Sequence, residues 1–129
     1  MKRIHVVAAI IYSDDKHKIL IAKRPEHLHK GGYWEFPGGK VEQGETEEQA
    51  LARELKEELN ISYQSAESFH SLHYDYPEKQ ISLSFWSVYG VPTDQVKAME
   101  GQECAWVEIA QLSSYQFPEA NKPILAMLL

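Results

Sequence analysis

A mixed α/β (α+β) domain is the fold class this sequence predicts, and three observations lead to it. Short β-branched and aliphatic runs come in pairs around polar turns, one N-capped helical segment interrupts them, and a second short helical segment ends the chain. The length agrees. A chain of 129 residues and 14.8 kDa makes a single domain over residues 1–129, and one of that size buries roughly two thirds of its unfolded surface.

Val6–Tyr12 and Lys18–Ala22 flank Ser-Asp-Asp-Lys-His and read as a hairpin. Pro25–Tyr33, with Gly31-Gly32, reads as a loop, and Trp34-Glu35-Phe36 as a short extended piece broken by Pro37-Gly38-Gly39. Thr46-Glu47-Glu48-Gln49 has capping-box spacing, so a helix starts there and runs to about Leu59. Asn60 stops it, because asparagine tolerates the left-handed conformation at a helix end. Leu51, Leu55 and Leu59 form its apolar stripe. Phe69–Tyr76 and Ile81–Val91 form a second hairpin around Pro77-Glu78-Lys79-Gln80. Cys104–Ile109 is a further strand, and Pro123–Leu129 a terminal helix with proline in its first turn.

Composition excludes several kinds of function. With 43% apolar and 25% charged residues the chain is not disordered. A net charge of −6 argues against a partner whose phosphates must be neutralised along a nucleic-acid polymer. The single cysteine, Cys104, excludes an internal disulfide framework and fits a reducing compartment. No apolar run approaches the roughly 20 residues that cross a bilayer, so no membrane partner is expected. Met1-Lys2-Arg3 before an apolar run imitates a signal peptide, but the run ends in Ser13-Asp14-Asp15 without a small-residue cleavage site. A first strand in a cytoplasmic protein is the reading.

Charge is concentrated where the helix is. Lys40 to Glu58 carries −4 of the −6. Glu54, Glu57 and Glu58 stand three and four positions apart, so their carboxylates gather on one face beside the leucine stripe. Arg53 can satisfy one of them. A divalent cation would turn the remaining repulsion into affinity, leaving one carboxylate free as general base for a water. Alone, such a helix is more often a solvated face than a site. The preceding Gly38-Gly39 tips the balance, since the backbone there can approach a ligand closely and offer a carbonyl.

Residues 39 to 61 read Gly39, five residues, Glu45, seven residues, then Arg53-Glu54-Leu55-Lys56-Glu57-Glu58-Leu59-Asn60-Ile61. This resembles the box of the Nudix hydrolases, with Asn60 where the family has glycine. Outside it, Trp34-Glu35-Phe36-Pro37-Gly38-Gly39-Lys40, Ile81–Trp86 and Phe117–Pro123 are similar to the MutT branch of that family. The resemblance implies an α/β/α sandwich with a central mixed sheet, and a Mg²⁺-dependent pyrophosphohydrolase, with Mn²⁺ a possible substitute. In that branch the substrate is a nucleoside triphosphate, 8-oxo-dGTP, removed from the pool before replication. Carried over by position, Glu54, Arg53 and Glu57 would be catalytic. Gly38, Glu54, Glu57, Glu58 and Glu100 would surround the metal, and Arg53 and Glu45 would hold the catalytic glutamates in place. Arg24, Glu35, Phe36, Lys40 and Asn121 would bind substrate, Asn121 reading the base. Lys79 stands where the branch's best-known form has arginine. The working unit would be a monomer.

Asn121 suits that role chemically. Its amide donates and accepts, so it can pair with both O6 and the N7 that carries a proton only in an 8-oxopurine. It is equally placed to cap the helix before Pro123. A CTP, dCTP or modified-pyrimidine pyrophosphohydrolase keeps the chemistry and changes the base. A non-catalytic binding module of the same fold is the alternative of another class. Both Glu54 and Glu100 are candidates for the base. The histidine pairs His27/His29 and His70/His73 present no ligand face. Cys104 and Trp86 read as packed residues, and Trp34 and Tyr33 as either packing or flanking a base.

Overall fold

The computed structural model describes residues 3–27 and 31–129. The loop reading at Pro25–Tyr33 and the histidine at position 29 therefore lie partly or wholly outside the described residues. Strand β1 (Arg3–Tyr12) organises the rest. On one side it pairs in parallel with β6 (Lys79–Tyr89), which pairs antiparallel with β5 (Ser65–Tyr76). Its other edge is divided. Ile11 and Tyr12 pair with β2 (Lys18–Lys23), while Val6–Ala8 pair with β4 (Gly38–Lys40). Strand β2 then carries β3 (Trp34–Glu35) and β7 (Cys104–Glu108). The first hairpin stands as the sequence predicts.

Both faces of β1 are covered, which explains its unbroken apolar run. Val7, Ala9 and Ile11 face helix α1 (Glu47–Leu59), packing with Leu51, Leu55, Leu59 and Val88. Ala8 and Ile10 face the other way, toward Phe36, Phe85, Phe117 and Ile124 of helix α2 (Lys122–Leu128). The result is the expected helix–sheet–helix sandwich.

Helix α1 forms as its sequence dictates. Thr46 accepts from the Gln49 amide at 3.1 Å, the Gln49 side chain accepts from the Thr46 amide at 2.9 Å, and Asn60 closes the far end at φ 58°. Its first turn is also tied to the sheet. The Glu47 carboxylate accepts from Ser84 and Trp86 at 2.9 and 3.0 Å and meets His5 Nε2 at 2.9 Å.

The structure corrects several boundaries. Pro37-Gly38-Gly39 is not merely a break, because Gly38–Lys40 forms a strand on β1. Strand β5 begins at Ser65, four residues earlier than expected, and passes through an irregularity between Ser68 and His70. The hairpin turn shrinks to Pro77-Glu78, and Gly90, at φ 77°, follows the end of β6. β7 gives way at Ile109 to a 3-10 turn. Trp86 is half-buried, packing toward α1 with its indole N–H on Glu47.

Candidate active site

Two elements meet where the backbone has polar groups to spare. In the β1–β4 ladder the Val41 amide donates to His5 at 2.9 Å and the Ala9 amide to Pro37 at 2.7 Å. By antiparallel alternation, Gly38 and Lys40 therefore turn their polar groups away from β1. The Gly38 N–H donates to Glu58 of α1 at 3.1 Å, and the Lys40 carbonyl accepts from Arg53 at 3.0 Å. Gly38 lets the strand lie against β1 and Gly39 lets it approach the helix, because neither has a side chain. A Cβ on Gly38 would run into the Val7 carbonyl, and one on Gly39 into the Glu54 carboxylate.

Arg53 is the hub of the glutamates. It grips both oxygens of Glu45, at 2.6 and 2.9 Å, in the forked geometry that lysine cannot reproduce. It also donates to Glu54 at 2.9 Å and, at the longer distance of 3.4 Å, to Glu57. It thus serves two of the three helix carboxylates where the sequence suggests one. The contact holds the Glu45 carboxyl well below the usual carboxylate range.

The other acids are less well matched. Burial raises Glu54, against the opposing pull of Arg53. Burial also raises Glu35, which Arg24 partly offsets at 2.6 Å. Glu58 is pushed up to about 8, first by burial and then by the charges of Glu35, Glu54 and Glu100, with only the Gly38 amide opposing. Glu100, on the loop before β7, adds its charge to Glu35, Glu54 and Glu58 alike. Glu57 stands apart with its side chain 58% exposed. The deficit of positive charge, the all-oxygen donor set and the glycine cradle fit a hard divalent cation. The fit is one of charge and donor chemistry. Arg53 holds Glu54 and Gly38 holds Glu58, and no three acidic, histidine or cysteine side chains among the described residues converge on one cation-sized point.

This arrangement carries a pH prediction for the metal-free protein. In the unfolded chain Glu58 gives up its proton near its ordinary 4.5, whereas in the folded chain it keeps the proton to about 8. Between those values the folded state binds more protons, so raising the pH favours unfolding. Chelator-treated protein is expected to lose about 3 kcal/mol of stability from pH 5.5 to 8. An excess of divalent cation should remove most of that slope. Urea unfolding at the two pH values, with and without the cation, checks it. Glu45 moves the opposite way, but its window lies below pH 4.5.

A cleft of about 350 Å³ opens beside the glutamates on the α2 side of the sheet. Val6, Ala8, Ile81 and Leu83 make an apolar floor. Glu35 and Glu58 stand on one wall with Gly38 and Gly39; Arg24, Lys40 and Lys79 also line it. Burial and the charges of Arg24 and Lys40 lower the Lys79 ammonium, as expected when three cations face one space. Asn121 and Phe36 close the cleft with Pro118 and Ala120. The Asn121 side chain makes no capping bond to α2; its amide nitrogen donates to the Pro118 carbonyl at 3.5 Å, and the residue lines the cleft. Trp34 and Tyr33 are not among the lining residues, and Trp34 packs edge-on against Tyr115. Cys104 is half-buried toward α1.

Sequence reasoning passed over Gln102 and Tyr76. The Tyr76 hydroxyl accepts from the Ala120 amide at 3.0 Å, bracing the turn that carries Asn121. A tyrosine one residue before the Pro77 turn offered only a weak signal.

A sheet between two helices, with a glycine strand and an Arg-Glu-x-x-Glu-Glu helix edging a nucleotide-sized cleft, defines a hydrolase of the Nudix family. The chain belongs to that family: a model of the NUDIX domain matches residues 6–127. It is 39% identical to the 8-oxo-dGTP diphosphatase of Escherichia coli K12, over 99% of this chain and 98% of that protein. It is also 40% identical to the CTP pyrophosphohydrolase of the same organism, over 97% and 90%. A solved structure from work on MutT of Aliivibrio salmonicida and Vibrio cholerae is 47% identical, covering 98% of this chain and 97% of that one, with a TM-score of 0.84. Nudix hydrolases in general need a divalent metal. No helix among the described residues is long and apolar enough to cross a membrane.

Proposed function

We propose that this chain is a Mg²⁺-dependent nucleoside triphosphate pyrophosphohydrolase that converts 8-oxo-dGTP to 8-oxo-dGMP and pyrophosphate. It would act as a cytoplasmic monomer that keeps the oxidised nucleotide out of DNA synthesis. The observation that carries this reading is the cleft itself, which sets Asn121 and an apolar floor beside carboxylates and three cations. The full-length likeness to 8-oxo-dGTP diphosphatases supports the choice of base.

Gly38, Glu54, Glu57, Glu58 and Glu100 would hold the metal, which supplies positive charge at the phosphate oxygens. Arg24 and Lys40 bind the triphosphate and stabilise charge that develops on it. Glu54, whose pKa burial raises, accepts a proton from the attacking water. The water oxygen bonds to the β-phosphorus as the bridge to the α-phosphate breaks, releasing monophosphate and pyrophosphate. Arg53 keeps Glu54 oriented for that transfer. Phe36, wedged against Phe85 and Phe117, gives the base a rigid wall. Asn121 then reads O6 and N7.

The equal likeness to a CTP pyrophosphohydrolase makes a pyrimidine substrate the second reading. Measuring kcat/KM for 8-oxo-dGTP, dGTP, dCTP and CTP decides. A lead of 8-oxo-dGTP over dGTP of about a hundredfold, equivalent to about 2.7 kcal/mol, is expected. A lead for CTP or dCTP overturns the choice of base but leaves the helix chemistry in place. No turnover on any of them would point to a binding module.

A further inference from the structure

The carbonyls at a helix C-terminus lack intrahelical partners, and in α1 the last two, of Glu58 and Leu59, are taken up by the loop that carries Glu100. The Leu59 carbonyl accepts from the Lys97 amide at 2.9 Å. The Glu58 carbonyl accepts twice, from the Met99 amide at 2.9 Å and from Gln102 Nε2 at 3.2 Å. The other end of the same Gln102 side chain, Oε1, accepts from the Glu100 amide at 3.0 Å. Gln102 is half-buried while Glu100, Gly101 and Glu103 around it are exposed. One side chain therefore joins the backbone of Glu58 to the backbone of Glu100, and it uses both its donor and its acceptor to do so.

We propose that Gln102 is a positioning residue, a clasp that locks the Glu100 loop onto the end of α1 so that the Glu100 carboxylate faces Glu54 and Glu58. The inference rests on the reading that these glutamates form the reaction centre. Between the 3-10 turn at Thr93–Gln95 and β7 the loop has no regular structure. The Lys97 and Met99 amides tie it to α1 and the Gly101 amide closes a turn on Ala98, while Gln102 adds the side-chain link that holds the Glu100 amide itself. Alanine at 102 removes both bonds. Glutamate keeps the acceptor, loses the donor and brings a negative charge to Glu58.

The test uses the full chain in three measurements. In Gln102→Ala the Glu100 amide should exchange with solvent about tenfold faster by NMR, while amides within β1 and β6 keep their protection. Mn²⁺ binding to the nucleotide-free protein, followed by EPR, should weaken about tenfold, and Gln102→Glu should not restore it. In turnover, Gln102→Ala should lower kcat/KM about tenfold in the otherwise unchanged chain and have little effect in a Glu100→Gln background, since it acts through Glu100. An equal loss in both backgrounds, or unchanged Mn²⁺ affinity, overturns the inference. If the unsubstituted chain turns over none of the nucleotides, the proposed activity fails by itself. The exchange and Mn²⁺ measurements then decide the role of Gln102 on their own.

Discussion

Glu54→Gln is expected to lower kcat for nucleotide hydrolysis by about 10³-fold while leaving the protein folded. Glutamine has the same shape, and its carbonyl oxygen can still accept the 2.9 Å bond from Arg53. It cannot take a proton from water. Stability should hold or rise, because the change removes one of the charges that Glu58 and Glu57 now oppose in a side chain only 16% exposed. Pyrophosphate release gives the rate, and thermal unfolding of the metal-free protein gives the stability. A kcat within tenfold of the unsubstituted chain would remove Glu54 as the base, and Glu100→Gln would then be expected to carry the large loss.

Asn121→Ala should act on choice rather than on chemistry. A site that pairs with O6 and with the N7–H of 8-oxoguanine leaves its own acceptor unpaired when guanine binds. Removing the amide abolishes that difference, so the preference for 8-oxo-dGTP over dGTP should fall about 30-fold, equivalent to about 2 kcal/mol. The loss should appear in kcat/KM for 8-oxo-dGTP, with dGTP turnover little changed. Because the Asn121 side chain caps nothing in α2, thermal unfolding should move little. A preference that survives the substitution would place base recognition elsewhere in the cleft.

The parts of this fold written in local sequence were the legible ones. Helix α1 is readable from its cap to its end, since Thr46, Gln49, the leucines and Asn60 each act on neighbours within a turn. The box residues could be gathered on one side of that helix for the same reason. Strand β4 was not readable, because Gly38-Gly39 has no strand propensity of its own. It is extended only because β1 offers a ladder and the Glu54 carboxylate leaves room for nothing larger. The early residues of β5 are polar and mostly exposed, so no apolar alternation marked them. Gln102 and Glu47 escaped notice because their partners lie about 40 residues away in sequence. A polar side chain does not announce a distant partner.

The cleft draws its two sides from separate stretches of chain. Helix α1 and strand β3 supply the glutamates and β4 the glycines beside them, whereas the end of β5, the start of β6 and the Pro118–Asn121 turn supply the surface a base would rest on. Drift in the second group can retune what is accepted without disturbing the first. Two proteins of one organism, named for an oxidised purine nucleotide and for CTP, accordingly stand at almost the same identity to this chain, 39% and 40%. Percent identity to these two relatives does not by itself separate their two diets. On the proposed function, the side chains around Asn121 would carry that choice.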